Sequence, residues 1–170
     1  MTEKTMEVRK TAVQPINSGA ETHYSKLLMK LENSQKVRAL ARFRFSEYPV
    51  IEDHEVQSIK RDMEIINREF IPASPIEIAN MVRRISVLPS RAVSQLSADQ
   101  AKLMLADVVE ALMDIPADLI EVARQRVMRN CRFFPSPVEI IDQVRKEIDE
   151  RDNVRVTLTA LLDKHHQNGL

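Results

Sequence analysis

The chain has 170 residues, 44% of them hydrophobic, and its 25 Lys and Arg balance 25 Asp and Glu. This length supports one domain or two small units around a modest core, and zero net charge argues against a protein held to nucleic acid mainly by its overall charge. Gly19 and Gly169 are the only glycines. Two are too few for the turns of a sheet protein or for a phosphate-binding loop, so a β-rich fold and Walker-type nucleotide binding are excluded.

Cysteine content and hydropathy exclude further classes of protein. Cys131 is the only cysteine, which excludes intramolecular disulfides and thiolate zinc clusters. No apolar run reaches the roughly 18 residues of a membrane span. We therefore expect a cytoplasmic protein that does not contact a membrane.

In the N-terminal third, a periodic pattern of apolar residues begins near residue 20. Residues 1–19 have no sustained apolar period and are predicted to form a flexible arm. Residues 20–70 are predicted to form N-terminal helices with a basic face, and the first of these helices is expected to break near Asn33 and Ser34. The cations of this face are Lys26, Lys30, Lys36, Arg38, Arg42 and Arg44. Because Phe43 and Phe45 are interleaved with them, the segment is a candidate nucleic-acid surface, although both rings suit core or partner contacts equally well.

The next helix is predicted from a single apolar stripe. Its members, spaced three or four residues apart, are Val56, Ile59, Met63, Ile66 and Phe70. This spacing is typical of one face of an α-helix about five turns long. Pro72 and Pro75 mark its end.

Two copies of a helix-start motif follow, 62 residues apart: SPIEIANMVRR at 74–84 and SPVEIIDQVRK at 136–146. In each copy Ser caps the helix, Pro presets its first turn and Glu reaches back to the cap, which is a capping box. Agreement beyond the box makes an internal duplication plausible, and independently arisen helix starts are the alternative.

Between the copies, a third capping box at Ser97 begins a helix whose apolar positions are predicted to face the core: Ala101, Met104, Leu105, Val108, Val109 and Leu112. Pro116 then starts a second helix, giving a helical hairpin. The second Ser-Pro-x-Glu copy is predicted to begin one long charged helix that runs to Leu162. We expect residues 71–162 to form a C-terminal bundle and residues 163–170 to fray.

The C-terminal half offers few residues for chemistry. Arg126, Arg129 and Arg132 are candidates for phosphate binding, but a solvated helix face is the favoured interpretation. His165 and His166 are adjacent and point in different directions on a helix, which does not suit a metal ion. Serines that serve as helix caps leave no nucleophile and base, so we expect no catalytic, cofactor or metal site and no enzymatic activity.

Residues 88–144 resemble a known family. Leu88-Pro89 precedes the hairpin, and the hairpin is followed by Phe134-Pro135-Ser136-Pro137-Val138-Glu139-Ile140. This succession is similar to the phage replicative-helicase loader/inhibitor family and to related prophage replication proteins. The resemblance implies a small helical adaptor that binds a hexameric replicative helicase, holds it inactive and delivers it to an initiator protein, without a bound nucleotide.

The sequence therefore predicts an all-α protein, a small helical bundle built from helical hairpins with a flexible N-terminal arm. Its leading functional hypothesis is a non-catalytic adaptor of phage or prophage DNA replication, with partner surfaces in exposed parts of 20–49 and 121–135. Two alternatives stay open. One is a DNA-binding regulator that uses the basic N-terminal helices, and the other is a structural or assembly protein that forms helical homo-oligomers.

Overall fold

A computed structural model describes residues 23–40, 47–89 and 97–169, and confirms the predicted all-α fold. The helices of these ranges are α1 (His23–Lys30), α2 (Ser34–Leu40), α3 (Asp53–Arg68), α4 (Pro75–Ile85), α5 (Ala98–Ala111), α6 (Ala117–Asn130), α7 (Pro137–Asp142) and α8 (Arg145–Asn168). Within the same ranges no strand forms, and the one β-bridge joins Pro72 to Pro116. No helix in this part of the chain is long and apolar enough to cross a membrane. The predicted arm, residues 1–19, lies outside the described ranges.

The three predicted capping boxes all form. Ser74, Ser97 and Ser136 each accept a hydrogen bond from the backbone N–H three residues later, and the Glu or Gln at that position accepts one in return. At α4, for example, Glu77 Oε2 lies 2.8 Å from the Ser74 nitrogen. These bonds satisfy N–H groups that a helix start leaves without partners, which is why so short a motif predicts helix starts well.

The predicted break between α1 and α2 has its cause on α3. Asp62 is fully buried there, and its carboxylate accepts hydrogen bonds from the backbone N–H groups of Glu32 and Asn33 and from the Asn33 side chain, each at 2.9 Å. Asp62 therefore caps the start of α2 from a different helix. Asp62 lies three residues after Ile59 and four before Ile66, so it shares the buried face of α3 with the apolar stripe.

The buried apolar residues of the described ranges form two cores. The α4–α7 core is formed by buried residues of α4, α5, α6, α7 and their connections, among them Ile78, Val82, Ile85, Leu112, Leu119, Val127, Ile140 and Val144. The α1–α3/α8 core joins the three N-terminal helices to α8, with Leu28, Val37, Ile59, Ile66, Val154, Leu158 and Leu161 among its buried residues. The predicted stripe of α3 thus packs against the last helix of the chain.

The two cores do not follow the predicted boundary at residue 71. Residues of α8 from Val154 onward pack with α1, α2 and α3, whereas Ile148 packs against the α4–α7 core. The predicted single helix from Ser136 to Leu162 was wrong: it breaks at Gln143 and Val144. Val144 is buried in the α4–α7 core, whereas Val154 of α8 is buried in the other core.

Residues 163–170 were predicted to fray, but α8 continues through this segment to Asn168. Two side chains of its last turns bind the segment that precedes α3. Lys164 donates a hydrogen bond to the backbone oxygen of Tyr48, and His165 Nδ1 lies 3.0 Å from the backbone oxygen of Ile51. These contacts fix the last turns that would otherwise be free to unwind.

Candidate protein-binding surface

An open apolar groove runs between α4 and α5. Its larger, more open part is lined by Pro75, Ile76 and Ala79 of α4 and by Leu105, Ala106, Val109, Glu110 and Met113 of α5 and the turn that follows it. Ala79, Leu105 and Val109 also line a second depression, together with Val82, Arg83 and Ser86. Because the two depressions share these residues, they form one groove along the length of α4. At 1.5 Å per residue, the distance from Pro75 to Ser86 is about 16 Å, or three helical turns.

The walls of this groove, which we call the α4–α5 groove, are exposed hydrophobic side chains. Ile76 is 73% exposed, Met113 43% and Leu105 37%. Leu103, on the outer side of α5, is 66% exposed. Exposed apolar side chains that are contiguous mark interaction sites far more often than scattered ones do.

The exposure of α5 corrects the predicted core-facing stripe. Of its six members only Val108 and Leu112 are buried, and Met104 and Leu105 lie at the surface. The buried pair lies in the second half of α5 (Val108) and directly after it (Leu112), where both residues belong to the α4–α7 core. The first half of α5 has no such cover among the described residues, so its apolar side chains stay exposed.

Charge is distributed unevenly around the groove. From Ser97 to Asp114 the chain carries Asp99, Asp107, Glu110 and Asp114 against Lys102, a net charge of −3. Glu110 itself lines the groove, next to Met113. Arg83, at the Ser86 end, is the one cation among the described lining residues. The lining residues themselves thus carry one acidic side chain, Glu110, and one basic side chain, Arg83.

The four predicted N-terminal cations that the structure describes differ in their surroundings. Lys30 forms an ion pair with Glu69 of the α3 end at 2.6 Å, and Lys36 forms one with Glu55 of α3. Lys26 and Arg38 are exposed. Arg42 and Arg44 lie outside the described residues, as do Phe43 and Phe45. Two of the four described cations thus hold α1 and α2 against α3.

The predicted C-terminal cations also separate into different roles. Arg126 donates hydrogen bonds to both carboxylate oxygens of Glu147, at 2.9 and 2.5 Å, and to the backbone oxygen of Gln143. It therefore joins α6 to the break between α7 and α8. Arg129 and Arg132 are exposed, and the Arg132 guanidinium lies 5.7 Å from the centre of the Phe133 ring.

The Arg126 pair changes the ionisation of both partners. The hydrogen bond to Glu147 raises the pKa of Arg126, an effect that partial burial opposes. Burial raises the pKa of Glu147, but its hydrogen bonds from Arg126 and from the backbone outweigh this effect and leave the pKa below its ordinary value. Both groups are thus held in their charged forms, as an ion pair with a structural role requires.

Outside the groove, two further polar side chains, Glu121 and His165, contact charged neighbours. Glu121 accepts hydrogen bonds from Arg124 at 2.6 and 2.8 Å, and these, with one from Gln125, lower its pKa to about 2. His165 lies 3.4 Å from an Asp53 carboxylate oxygen. Among the residues that the structure describes, no three His, Cys, Asp or Glu side chains are placed to hold a metal ion.

The α4–α5 groove lies outside the partner surfaces that the sequence predicted, 20–49 and 121–135. A usable signal was nonetheless present. Leu103, Met104 and Leu105 are consecutive, and with Val108, Val109 and Leu112 they cover more than half of the helix circumference. A helix with so wide an apolar surface cannot bury all of it against one layer of neighbours.

Comparison of the chain with protein-family models, with curated proteins and with solved structures finds no match. The similarity of residues 88–144 to the helicase loader/inhibitor family therefore stays a prediction.

Proposed function

We propose that this protein is a non-catalytic adaptor that binds another protein through the α4–α5 groove. The observation that carries the proposal is the exposed apolar wall formed by Ile76 of α4 and by Leu105 and Met113, which lie about two helical turns apart. Full burial of such a side chain is worth about 1.5 to 3 kcal/mol, and a partner would recover the part of this that corresponds to the fraction still exposed. A partner that covers the groove recovers this free energy, which gives a direct physical reason for association.

Several polar groups that catalysis could employ have structural partners instead, which supports a binding role. Ser74 and Ser136 are occupied in capping boxes. Arg126 and Glu147 bind each other. His165 contacts the backbone of residue Ile51.

The partner that we propose is a replicative helicase of the phage or prophage type. The segment that resembles the loader/inhibitor family, 88–144, contains the whole of α5, which forms one wall of the groove. On this proposal the adaptor acts in the cytoplasm, and binding lowers the helicase's ATPase rate until the complex reaches an initiator protein.

The test measures complex formation between the full chain and the host's replicative helicase by size-exclusion chromatography with light scattering, alongside the ATPase rate. Ile76→Asp should weaken the complex at least about tenfold, because it leaves a charge unpaired in an apolar contact. Asp at the second helical position suits the α4 dipole, so the variant should fold normally.

Val138→Asp is the matched control. Val138 occupies the same position in the second Ser-Pro-x-Glu copy, is 61% exposed and lies outside the groove. A complex that forms with wild type and with Val138→Asp but not with Ile76→Asp supports the proposal. A helicase that neither binds the adaptor nor changes its ATPase rate rejects it.

The same chromatography with light scattering distinguishes the two alternative functions. A DNA-binding regulator would form a salt-sensitive complex with a short duplex, weakened by removing the exposed cations Lys26 and Arg38. An assembly protein would form concentration-dependent oligomers without any partner.

A further inference from the structure

Helices α4 and α6 run in the same direction and end side by side. Near their starts, the Ala73 N–H donates a hydrogen bond to the Ile115 oxygen at 2.9 Å. Just after their ends, the Phe134 N–H donates one to the Pro89 oxygen at 2.8 Å. The last turn of each helix and the residues that follow it therefore meet at one end of the α4–α7 core.

This end carries a local surplus of positive charge, although the whole chain is neutral. Segments 83–89 and 129–135 contain four arginines and neither aspartate nor glutamate. These arginines are all exposed, and we call them the basic end: Arg83, Arg84, Arg129 and Arg132. The C-terminus of a helix is equivalent to about half a negative charge, so two helix ends offset about one of the four positive charges. Complementing the helix dipoles therefore accounts for only part of the surplus.

Ion pairing within the protein does not account for the remainder. Of the four arginines, only Arg84 comes within 4.0 Å of a carboxylate among the described residues, and that carboxylate belongs to Glu121. Arg124 binds Glu121 more closely, at 2.6 and 2.8 Å. The positive charge of the basic end is thus available to a ligand.

An aromatic ring lies next to these cations. Phe133 is 36% exposed, and the Arg132 guanidinium is 5.7 Å from the centre of its ring. Single-stranded nucleic acids are bound by this combination, because cations hold the phosphates and aromatic rings stack on the bases. An acidic protein surface would need only the charges, and a duplex keeps its bases stacked on each other. The exposed ring therefore favours a single strand as the ligand.

We propose that the basic end binds single-stranded nucleic acid, with its arginines on the phosphates and a base stacked on Phe133. Arginine suits this ligand, because its planar group donates two parallel hydrogen bonds to one phosphate. The neutral total charge of the chain excludes binding by overall charge, but not by a local cluster. This inference does not depend on which protein occupies the α4–α5 groove.

The test measures binding of a fluorescently labelled DNA strand of about 20 nucleotides to the full chain, by anisotropy over a series of salt concentrations. The slope of log affinity against log salt is about −0.7 for each contacted phosphate of a single strand, so four contacts predict a slope of about −2.8. An RNA strand of the same sequence is measured in parallel. Binding of either strand meets the prediction, and the tighter one identifies the preferred sugar.

Variants locate the binding. Replacing both Arg129 and Arg132 with Gln should halve the slope, to about −1.4, and reduce the affinity at low salt at least about tenfold. Phe133→Leu keeps an apolar side chain but removes the ring, so the affinity should fall at least about fivefold while the slope stays the same. Circular dichroism of each variant checks that the helices are intact.

The matched control replaces Lys26 and Arg38, two exposed cations of α1 and α2, with Gln. It removes the same charge from another part of the surface, and should change the affinity by less than about twofold.

Four results would overturn the inference. The first is no binding of either strand, and the second is binding that the Lys26 and Arg38 control loses but the Arg129 and Arg132 variant keeps. The third is displacement of the strand by polyglutamate at equal charge concentration, which would identify an acidic protein as the ligand. The fourth is a duplex bound as tightly as the single strand, with no effect of Phe133→Leu. None of these measurements involves the helicase complex, which Ile76→Asp tests separately.

Discussion

Arg151 of α8 and Asp118 of α6 form a two-point ion pair, with guanidinium nitrogens 2.9 and 2.5 Å from the two carboxylate oxygens. Arg151 also donates a hydrogen bond to the backbone oxygen of Glu69 at 2.6 Å, and its side chain is only 4% exposed. Because α8 belongs to one core and α6 to the other, this buried guanidinium joins the two halves of the fold. It does so beside the bridge between Pro72 and Pro116, where Ala117 N–H donates to the Ile71 oxygen.

Loss of this junction should destabilise the whole chain. Arg151→Met keeps the apolar stem but removes the charge, leaving Asp118 and the Glu69 carbonyl without their partner. We expect a loss of about 2 to 3 kcal/mol, toward the lower end for buried pairs because Asp118 is half exposed. Chemical denaturation measures the loss. Arg145→Met, which removes an exposed pair with Asp142 in the same helix, should cost less than about 1 kcal/mol. Equal losses would contradict the structural role of Arg151.

The last turns of α8 provide a second test, because two adjacent histidines differ in environment. His165 contacts the Ile51 oxygen and Asp53, whereas His166 is exposed. His165→Ala should cost about 1 kcal/mol, the usual net worth of a hydrogen bond, and His166→Ala should cost almost nothing. Thermal melts of both variants measure the difference. A tail that frays in solution would make the two variants indistinguishable.

Local signals in the sequence predicted the local structure correctly. Each capping box depends on residues three positions apart, so Ser74, Ser97 and Ser136 could be assigned to helix starts without any knowledge of the fold. The stripe of α3 was likewise predictable, because periodicity is a property of the helix alone.

The sequence could not predict which part of the chain each helix surface packs against. Nothing local indicates that α8 packs against α3, that Asp62 caps α2, or that Arg126 binds Glu147, since these partners are 21 or more residues apart. The same limit explains the error at α5. An apolar stripe predicts that a helix has a side to bury, but which half of it is covered depends on where the neighbouring helices end.

Two acidic residues of α8 make the stability depend on pH in opposite directions. The folded-state pKa of Glu147 lies below its ordinary 4.5, so its contribution is complete above that pH and is lost as pH falls through the folded value. Burial raises the pKa of Glu150, Lys146 opposes this effect and Glu147 adds to it. The contribution of Glu150 is therefore present below 4.5 and lost as pH rises through its folded value.

Glu147→Gln should reduce stability by about 1 to 2 kcal/mol at pH 7, because it weakens the charged hydrogen bonds with Arg126. The deficit should shrink as pH falls below 4.5, since acid removes the same charge from the wild type. Glu150→Gln should instead stabilise the protein at pH 7 and lose that advantage in acid. Denaturant titrations at neutral and acidic pH measure both trends. A deficit in Glu147→Gln that is independent of pH would show that the Glu147 charge does not contribute.

The orientation of α5 can be tested with two leucines of the same segment. Leu112 is fully buried in the α4–α7 core, and Leu103 is 66% exposed. Leu112→Ala should cost about 3 kcal/mol, because it removes buried methyl groups and leaves a cavity. Leu103→Ala should change the free energy of unfolding by no more than about 0.5 kcal/mol, since little of this side chain is buried and Ala favours the helix. Urea denaturation of the isolated protein measures both values. A large loss for Leu103→Ala would mean that the outer face of α5 is covered in the isolated protein, contrary to the 66% exposure of Leu103.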